Sequence, residues 1–301
     1  MKTYQQIYDI LDRYPLSKVN SHVHTHLCDG QPEMTVKNIA DQAYKDGLEL
    51  IVLVPHFHKC VTDGETTLYQ DSDIGIFEQL RQEIEHYKRV DGRVEFLLST
   101  EADILSTDGE ISLHACEAAE KYLDFISPTL NYHPVLPLRA VAVTHILEVD
   151  EFHASGRFGE MEQALGGHER MLDFGYSSIT NAVKQCPYPA MVGHFLISLT
   201  IPHHTHTWFG IGLEDVPIIR EKTNQLLDAC QQTGAFLDLT GIHLVGCTVQ
   251  EQKKKDGFLH EHQCEIIREC KKRGLRYCAG SDAHKLSTIA DVDIYRQLFS
   301  W

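Results

Sequence analysis

A parallel α/β barrel is the fold class that this chain of 301 residues predicts. Three observations carry it. Buried-type strand patterns alternate with helix-periodic stretches seven times, and such alternation implies a parallel sheet with helical crossovers. No linker, low-complexity tract or strong internal repeat divides the chain, so one barrel-like domain is expected over two. The residues with metal-binding chemistry fall just after strands, at the ends that a parallel barrel gathers into one face.

The elements follow in order. Tyr4, Ile7, Tyr8, Ile10 and Leu11 share a helical stripe, giving a lead-in helix over 4–13. The first strand spans 18–22. A helix over 34–46 stops at Gly47, and the apolar run 48–54 is the second strand. Residues 59–72 are polar and turn-rich. Helical spacing returns over 73–90 and ends at Asp91-Gly92, before the third strand at 94–100. A helix near 111–120 leads to a fourth strand at 123–127. The segment 134–185 breaks the short repeat and reads as an extended insertion with its own helices, near the active-site face. A fifth strand lies at 190–193, a loop at 199–212, a helix at 216–233 and a sixth strand at 235–239. A solvated charged loop precedes a helix over 258–273, which stops before Gly274. The seventh strand is 275–279, and a last helix covers 286–299.

Composition narrows the class. A hydrophobic content of 43% supports a large core. The formal net charge of −16, from 27 basic and 43 acidic residues, argues against a nucleic-acid binder. It leaves room for a phosphorylated substrate, because bound cations supply local positive charge. The nine cysteines are odd in number, scattered and without a Cys-x-x-Cys, as expected of reduced thiols in a cytosolic protein. Residues 1–14 lack the apolar core of a signal peptide, and no apolar run reaches membrane-spanning length. A cytoplasmic protein without membrane contact is expected.

The nineteen histidines are the anomaly. His22 and His24 are two apart on a strand and so share a face. Alone, the pair is as compatible with exposed histidines as with a metal site. The wider pattern favours the metal. His22 and His24 end strand one, His56 follows strand two and Glu101 follows strand three. His133 lies beyond strand four, His194 follows strand five, and Asp282 and His284 follow strand seven. Asp29, in the turn closed by Gly30, offers a further carboxylate, with His26 or His58 as substitutes. Nitrogen and oxygen ligands without thiolate suit Zn, Mn or Fe. So many ligands imply two or three divalent metal ions, with Glu101 able to bridge, and hydrolytic chemistry.

These motifs resemble those of the PHP (polymerase and histidinol phosphatase) family: His22-x-His24-Thr25 with Asp29-Gly30, a strand ending in His56, Glu101-x-Asp103, His194 after a strand, and Gly280-Ser281-Asp282-Ala283-His284. The resemblance runs from about residue 20 to 285. It implies a distorted (β/α)7 barrel with a trinuclear site. His22, His24, Glu101 and Asp282 would hold one metal. Glu101 would bridge to a second held by His133 and His194, and Asp29, His56 and His284 would take a third. Pro55 stands where the family usually has Asp, so one acidic partner is missing. The implied activity is that of a metal-dependent phosphomonoesterase. A metal-bound hydroxide would attack a small phosphorylated metabolite such as histidinol phosphate, with Asp282, His284 and Glu101 as catalytic residues.

Rival readings are an amidohydrolase-type metallohydrolase, a PHP nuclease acting on short oligonucleotides, and a non-catalytic metal- or protein-binding barrel. Glu101, where amidohydrolases often use lysine, and the added His284 favour the phosphoesterase; the acidic charge weighs against the nuclease. Other residues have plainer readings. His203, His204 and His206 fit an exposed loop, with substrate contact as the alternative. Lys285 either reaches a phosphate or starts a helix, and Arg139, Arg157 or Arg170 could clamp one. Asp103 is either a partner of a histidine or a helix cap. Cys28 is expected to pack.

Overall fold

The structure, a computed structural model, describes residues 1–60, 62, 71–113, 117–130, 163, 166–193, 202–203, 206–207, 216–239 and 257–292. The first half runs α1 (Tyr4–Leu11), β1 (Val19–Val23), α2 (Val36–Lys45), β2 (Leu50–Leu53), β3 (His56–Phe57), α3 (Gly75–Val90), β4 (Glu95–Leu98), β5 (Glu101–Asp103), α4 (Glu117–Tyr122) and β6 (Ser127–Thr129). The second half runs α5 (His168–Gln185), β7 (Met191–Val192), β8 (Pro202–His203), β9 (His206–Thr207), α6 (Val216–Thr233), β10 (Phe236–Asp238), α7 (Gly257–Arg273) and β11 (Tyr277–Cys278).

Three parallel groups form: β1-β2-β4, β3-β5-β6 and β7-β10-β11. The first two are consecutive stretches of the same chains, because β2 resumes as β3 past Val54-Pro55 and β4 resumes as β5 past Ser99-Thr100. Pro55 has no N–H to give the ladder, but its carbonyl accepts from Glu101 N at 3.0 Å and Thr100 Oγ1 at 2.7 Å. The groups are joined at their edges. Ile126 N donates to Pro189 O (3.0 Å) and Met191 N to Ile126 O (2.9 Å), linking β6 to β7. Ser21 N donates to Ala279 O (2.9 Å) and His24 N to Ala283 O (3.0 Å), linking the end of β11 back to β1.

Successive strand residues feed two cores, which is why these strands read as continuous apolar runs rather than alternating ones. Leu50, Val52 and Val54 pack with Val19, Leu97, Phe125, Met191 and Phe236, and α1 sends Ile7 and Leu11 into the same cluster. Ile51 and Leu53 face the other way, against Ile39 and Ala43 of α2 and Phe77 and Leu80 of α3. Helix α1 is started by a capping box between Thr3 and Gln6. Its Tyr4 hydroxyl accepts from Ala190 N (2.9 Å), and its Tyr8 hydroxyl donates to Gly234 O. Gly47 and Gly274, both at positive φ, terminate α2 and α7.

Six of the expected strands overlap β1, β2, β4, β7, β10 and β11; the fourth, expected at 123–127, lies instead at Ser127–Thr129, and β3 and β5 are unforeseen extensions. Of the helix expected from 111, Glu117–Tyr122 is helical, while Ile111 instead forms an antiparallel bridge with Ile104. The expected loop 199–212 contains the antiparallel pair β8-β9. Of the last expected helix the described part is a single 3-10 turn, Leu286–Thr288. Of the segment expected to be an insertion, 134–185, α5 is described and 134–162 lies outside the described residues. No helix among the described residues is long and apolar enough to cross a membrane.

Candidate metal centre

His22 lies one residue before the end of β1, and His24 follows just past it; both are fully buried, with ring centroids 5.2 Å apart. Glu101, also fully buried, opens β5 opposite His56 of β3 in register. Its Oε1 lies 3.1 Å from His22 Nε2, and its Oε2 lies 2.7 Å from His56 Nδ1. Asp282 follows β11 with φ +53, a left-handed backbone that an Asp tolerates better than most residues. Its Oδ1 lies 2.8 Å from His24 Nε2 and 3.6 Å from His22 Nε2.

Asp29 is brought in by a tight turn. Cys28 N and Gly30 N both donate to Thr25 O, at 3.1 and 3.0 Å. A Cβ on Gly30 would lie 2.7 Å from that oxygen, so the turn requires glycine. Asp29 Oδ1 lies 3.1 Å from His24 Nδ1, while Oδ2 lies 3.1 Å from His56 Nε2 and 2.7 Å from His284 Nε2. The His284 ring stacks on that of His24 (centroids 4.1 Å, 15°). Two sets of ligand atoms thus converge: His22, His24 and Asp282 at the closed end, and His24, Asp29, His56 and His284 at the open end. The side chains of Asp29 and His284 are 39% and 37% exposed against none for His22 and Glu101, so solvent reaches the cluster from the Asp29 side.

The electrostatics are those of a cation site. Burial opposes protonation of His22, but Glu101, Asp238 and Asp282 outweigh it and hold its pKa well above the ordinary value. Burial likewise opposes protonation of His56, and Glu101 and Asp29 overcome it. His284 is raised by Asp29 and Asp282 against the same burial. Burial would raise the Asp29 carboxyl; His24, His284 and His56 instead hold it far below the usual carboxylate range. Both ring nitrogens of His24 are buried and make no hydrogen bond among the described residues, although carboxylate oxygens stand 2.8 and 3.1 Å away. Imidazole nitrogens and carboxylate oxygens gathered this closely fit a divalent cation. Cys28 belongs to neither ligand set; its Sγ accepts from His56 N at 3.2 Å, and the thiol contacts Asp29.

The remaining residues sort by position. His26 turns away, its Nδ1 3.2 Å from Met34 O and its Nε2 3.6 Å from Glu83. Asp103 lies in β5 and meets His58 Nδ1 at 2.8 Å, so it partners a histidine rather than capping a helix. Lys285 is exposed at the start of the 3-10 turn, and Arg170 lies over Phe174. His133, His194, His204, Arg139 and Arg157 lie outside the described residues, and of His203 and His206 only the strand placement is described.

Asp238 was not singled out by the sequence reading. From β10 its Oδ2 meets His22 Nδ1 at 2.7 Å and its Oδ1 accepts from Ser21 Oγ at 2.9 Å. The available signal was one acid inside an otherwise apolar buried strand, Phe236-Leu237-Asp238-Leu239.

No family model matches this chain, and no curated protein matches its sequence. Solved structures do match. A candidate histidinol phosphatase, HisK, from Listeria monocytogenes aligns over 90% of this chain and 97% of its own, with a TM-score of 0.60 at 16% identity. A histidinol phosphate phosphatase, HisK, from Lactococcus lactis subsp. lactis Il1403, solved with zinc, L-histidinol and phosphate, aligns over 94% and 93%, with a TM-score of 0.59 at 14% identity. The chain therefore has the parallel α/β fold of these two proteins along nearly its whole length.

Proposed function

We propose that the chain is a PHP-type, metal-dependent phosphomonoesterase acting on a small phosphorylated metabolite, with histidinol phosphate as the first substrate to test. The observation that carries the proposal is the pair of ligand sets sharing His24, one closed and one open to solvent. The fold shared with two histidinol-phosphatase-type structures, one of them bound to zinc and phosphate, supports it. On this reading the edge-joined parallel groups form a distorted (β/α)7 barrel of one domain, 1–301, with 134–185 inserted beside the active-site face.

His22, His24 and Asp282 would hold one divalent ion, and Asp29, His56 and His284 another. Glu101, which touches both His22 and His56, would contribute its carboxylate to both. His133 and His194 are the further ligands proposed from the sequence. Bound divalent ions supply Lewis acidity, which activates water near neutral pH and offsets phosphoryl charge.

The chain's own groups do the rest. Asp238 accepts a hydrogen bond from His22 Nδ1–H, which leaves Nε2 to face Glu101 and Asp282. The Thr25–Gly30 turn fixes Asp29, and Asp282 O binds His284 Nδ1 at 2.9 Å and orients that ring. The buried end, around His22 and Glu101, excludes bulk water. The open end, at Asp29 and His284, admits the substrate. The test is metal analysis of the purified protein beside a phosphatase screen over histidinol phosphate, sugar phosphates, nucleotides and short oligonucleotides. Two or more metals per chain with monoesterase activity are expected; fewer than two metals with no phosphatase activity would overturn the proposal.

A further inference from the structure

One buried side chain behind the cluster is bound at every polar atom, and its partners belong to the two chain segments that carry His22 and Asp282. Asn20 lies in β1 and is fully buried. Its Oδ1 accepts from His22 N and from Ser281 N, both at 3.1 Å. Its Nδ2 donates to Ser281 Oγ at 2.7 Å and to Ile289 O at 2.9 Å. Main-chain N–H groups on one side and a main-chain carbonyl on the other fix which way the amide faces. Two acceptances and two donations fill the capacity of an Asn side chain. Ser281 Oγ in turn donates to His22 O at 3.5 Å.

The course of the two chains shows what this amide is for. Beyond β11 the chain meets β1 through Ser21 N to Ala279 O and His24 N to Ala283 O. Between those contacts β1 advances from Ser21 to His24 while its neighbour advances from Ala279 to Ala283, so the two are out of step. The register of β1 against β2 also shifts between Asn20 and Val23. In a regular strand successive side chains point to opposite faces, yet Ser21 Oγ and His22 Nδ1 both reach the carboxylate of Asp238. A bulge of this kind re-aims side chains and interrupts the ladder. The Asn20 amide takes up the His22 and Ser281 N–H groups inside the interrupted stretch. Ser281 and Ile289 bracket the loop that presents Asp282 and His284, so one side chain ties both ends of that loop to β1. His284 has anchors of its own: Gln31 N donates to its O at 2.8 Å, Asp29 meets its Nε2, and its ring stacks on His24. Asp282, directly after Ser281 and at φ +53, is the ligand nearest the clasp.

We propose that Asn20 is a positioning residue of the metal centre: by clasping Ser281 and Ile289 to the bulge in β1, it holds Asp282 in the left-handed conformation from which its carboxylate reaches His22 and His24. This rests on the divalent-metal part of the proposed function and adds the device that aims one ligand of the closed set.

The test reads metal binding, so that it does not depend on turnover. Zinc is titrated into the metal-free protein against a chromophoric chelator, at a temperature where every variant is folded. Asp282→Ala and His284→Ala mark which binding step belongs to the closed set and which to the open set. Asn20→Leu keeps the size of the side chain and removes its hydrogen bonds. It should weaken the step marked by Asp282→Ala about tenfold or more, the scale of a partner that orients a ligand, and change the other step much less. Asn20→Asp keeps the two acceptances and loses both donations, so its effect on the same step should fall between those of wild type and Asn20→Leu; it carries the test alone if Asn20→Leu does not fold. A residue that only supports the fold would lower the melting temperature and favour neither step. A single binding step in the wild type, wild-type affinity at both steps in a folded Asn20 variant, or an equal loss at both therefore overturns the proposal. Selective weakening in a protein that hydrolyses no phosphoester would instead strike the phosphomonoesterase reading alone.

Discussion

His24 Nε2 stands 2.8 Å from Asp282 Oδ1, yet neither ring nitrogen of this fully buried histidine makes a hydrogen bond among the described residues. Leaving buried polar atoms unaligned costs about 1–3 kcal/mol each, so a structure keeps such atoms where another partner completes them. A divalent cation takes imidazole and carboxylate lone pairs together. Loading with zinc or manganese should therefore raise the melting temperature, by about 2.7 kcal/mol of stability at one hundred times the dissociation constant. His24→Ala, which removes the residue common to both ligand sets, should abolish most of that shift. An unchanged thermal shift in His24→Ala would place the metal elsewhere.

Asp238 should matter through His22 rather than by touching a metal. Its carboxylate holds the ring by Nδ1 at 2.7 Å and is itself held by Ser21 Oγ. Partners of this kind typically contribute 10- to 100-fold to metal affinity. Asp238→Ala should weaken zinc binding by about that factor in a chelator competition. Asp238→Asn should weaken it less, because an amide oxygen still accepts the Nδ1 proton. Equal losses in the two variants would show that charge, and not ring orientation, is what Asp238 supplies.

The raised histidines give the metal-free protein a pH dependence whose sign can be worked out. Burial lowers the pKa of His22, His56 and His284, but the neighbouring carboxylates raise all three above the ordinary value. A group raised on folding adds stability that is fully present below its unfolded pKa, near 6.5, and is lost as pH rises through the folded value. The EDTA-treated protein should therefore melt at progressively lower temperature as pH is raised above about 6.5. Metal affinity should move the other way and strengthen, because protons and cations compete for the same nitrogens. Melting curves of stripped and loaded protein from acid to alkaline pH check both, and parallel curves would contradict the competition.

What could be read from the sequence followed from periodicity and from the position of ligands after strands. Leu50 to Val54 is apolar throughout because alternate residues face α1 and the outer helices, and that pattern needs no tertiary information. His22, His24, His56, Glu101 and Asp282 stand next to strands whose ends are easy to locate. Asp29 and His284 come together across 255 residues at 2.7 Å, a pairing that the family resemblance implied and that strand and helix periodicity did not. Asp238 carried only the signal of a lone acid in an apolar strand, which names no partner until His22 is placed beside it. The break that makes four short strands of two long ones falls at Pro55, which has no N–H to give the ladder, and at Ser99-Thr100.

Gly193, the residue before His194, should not tolerate a side chain. A Cβ there would come as close as 2.5 Å to Ser127 Oγ, with Thr129 Oγ1 crowding it equally. Both hydroxyls belong to buried residues of β6, so neither can swing into solvent. Gly193→Ala should cost about 1–3 kcal/mol as an overpacked site. Adding Ser127→Ala and Thr129→Ala should return part of the loss. Urea midpoints of the variants measure this, and a wild-type midpoint for Gly193→Ala would mean that the strand end yields.

Helix α1 should govern stability while leaving the chemistry of the folded protein alone. Its apolar stripe enters the cluster formed by Val19, Leu50, Val52, Leu97, Phe125, Met191 and Phe236, and Ile7 is completely buried there. Truncating a buried Ile leaves a cavity and costs about 2–5 kcal/mol. Tyr4→Phe removes no packing but strands the Ala190 N–H that donates to the hydroxyl, a loss of about 1–3 kcal/mol. None of these residues touches His22, Glu101 or Asp282 in any described hydrogen bond or ion pair. Ile7→Ala should therefore lower the melting temperature sharply while the zinc affinity of the protein that remains folded stays near that of the wild type. A matched fall in zinc affinity at temperatures where the variant is fully folded would mean that α1 positions β1, and through it His22, more directly than by filling the core.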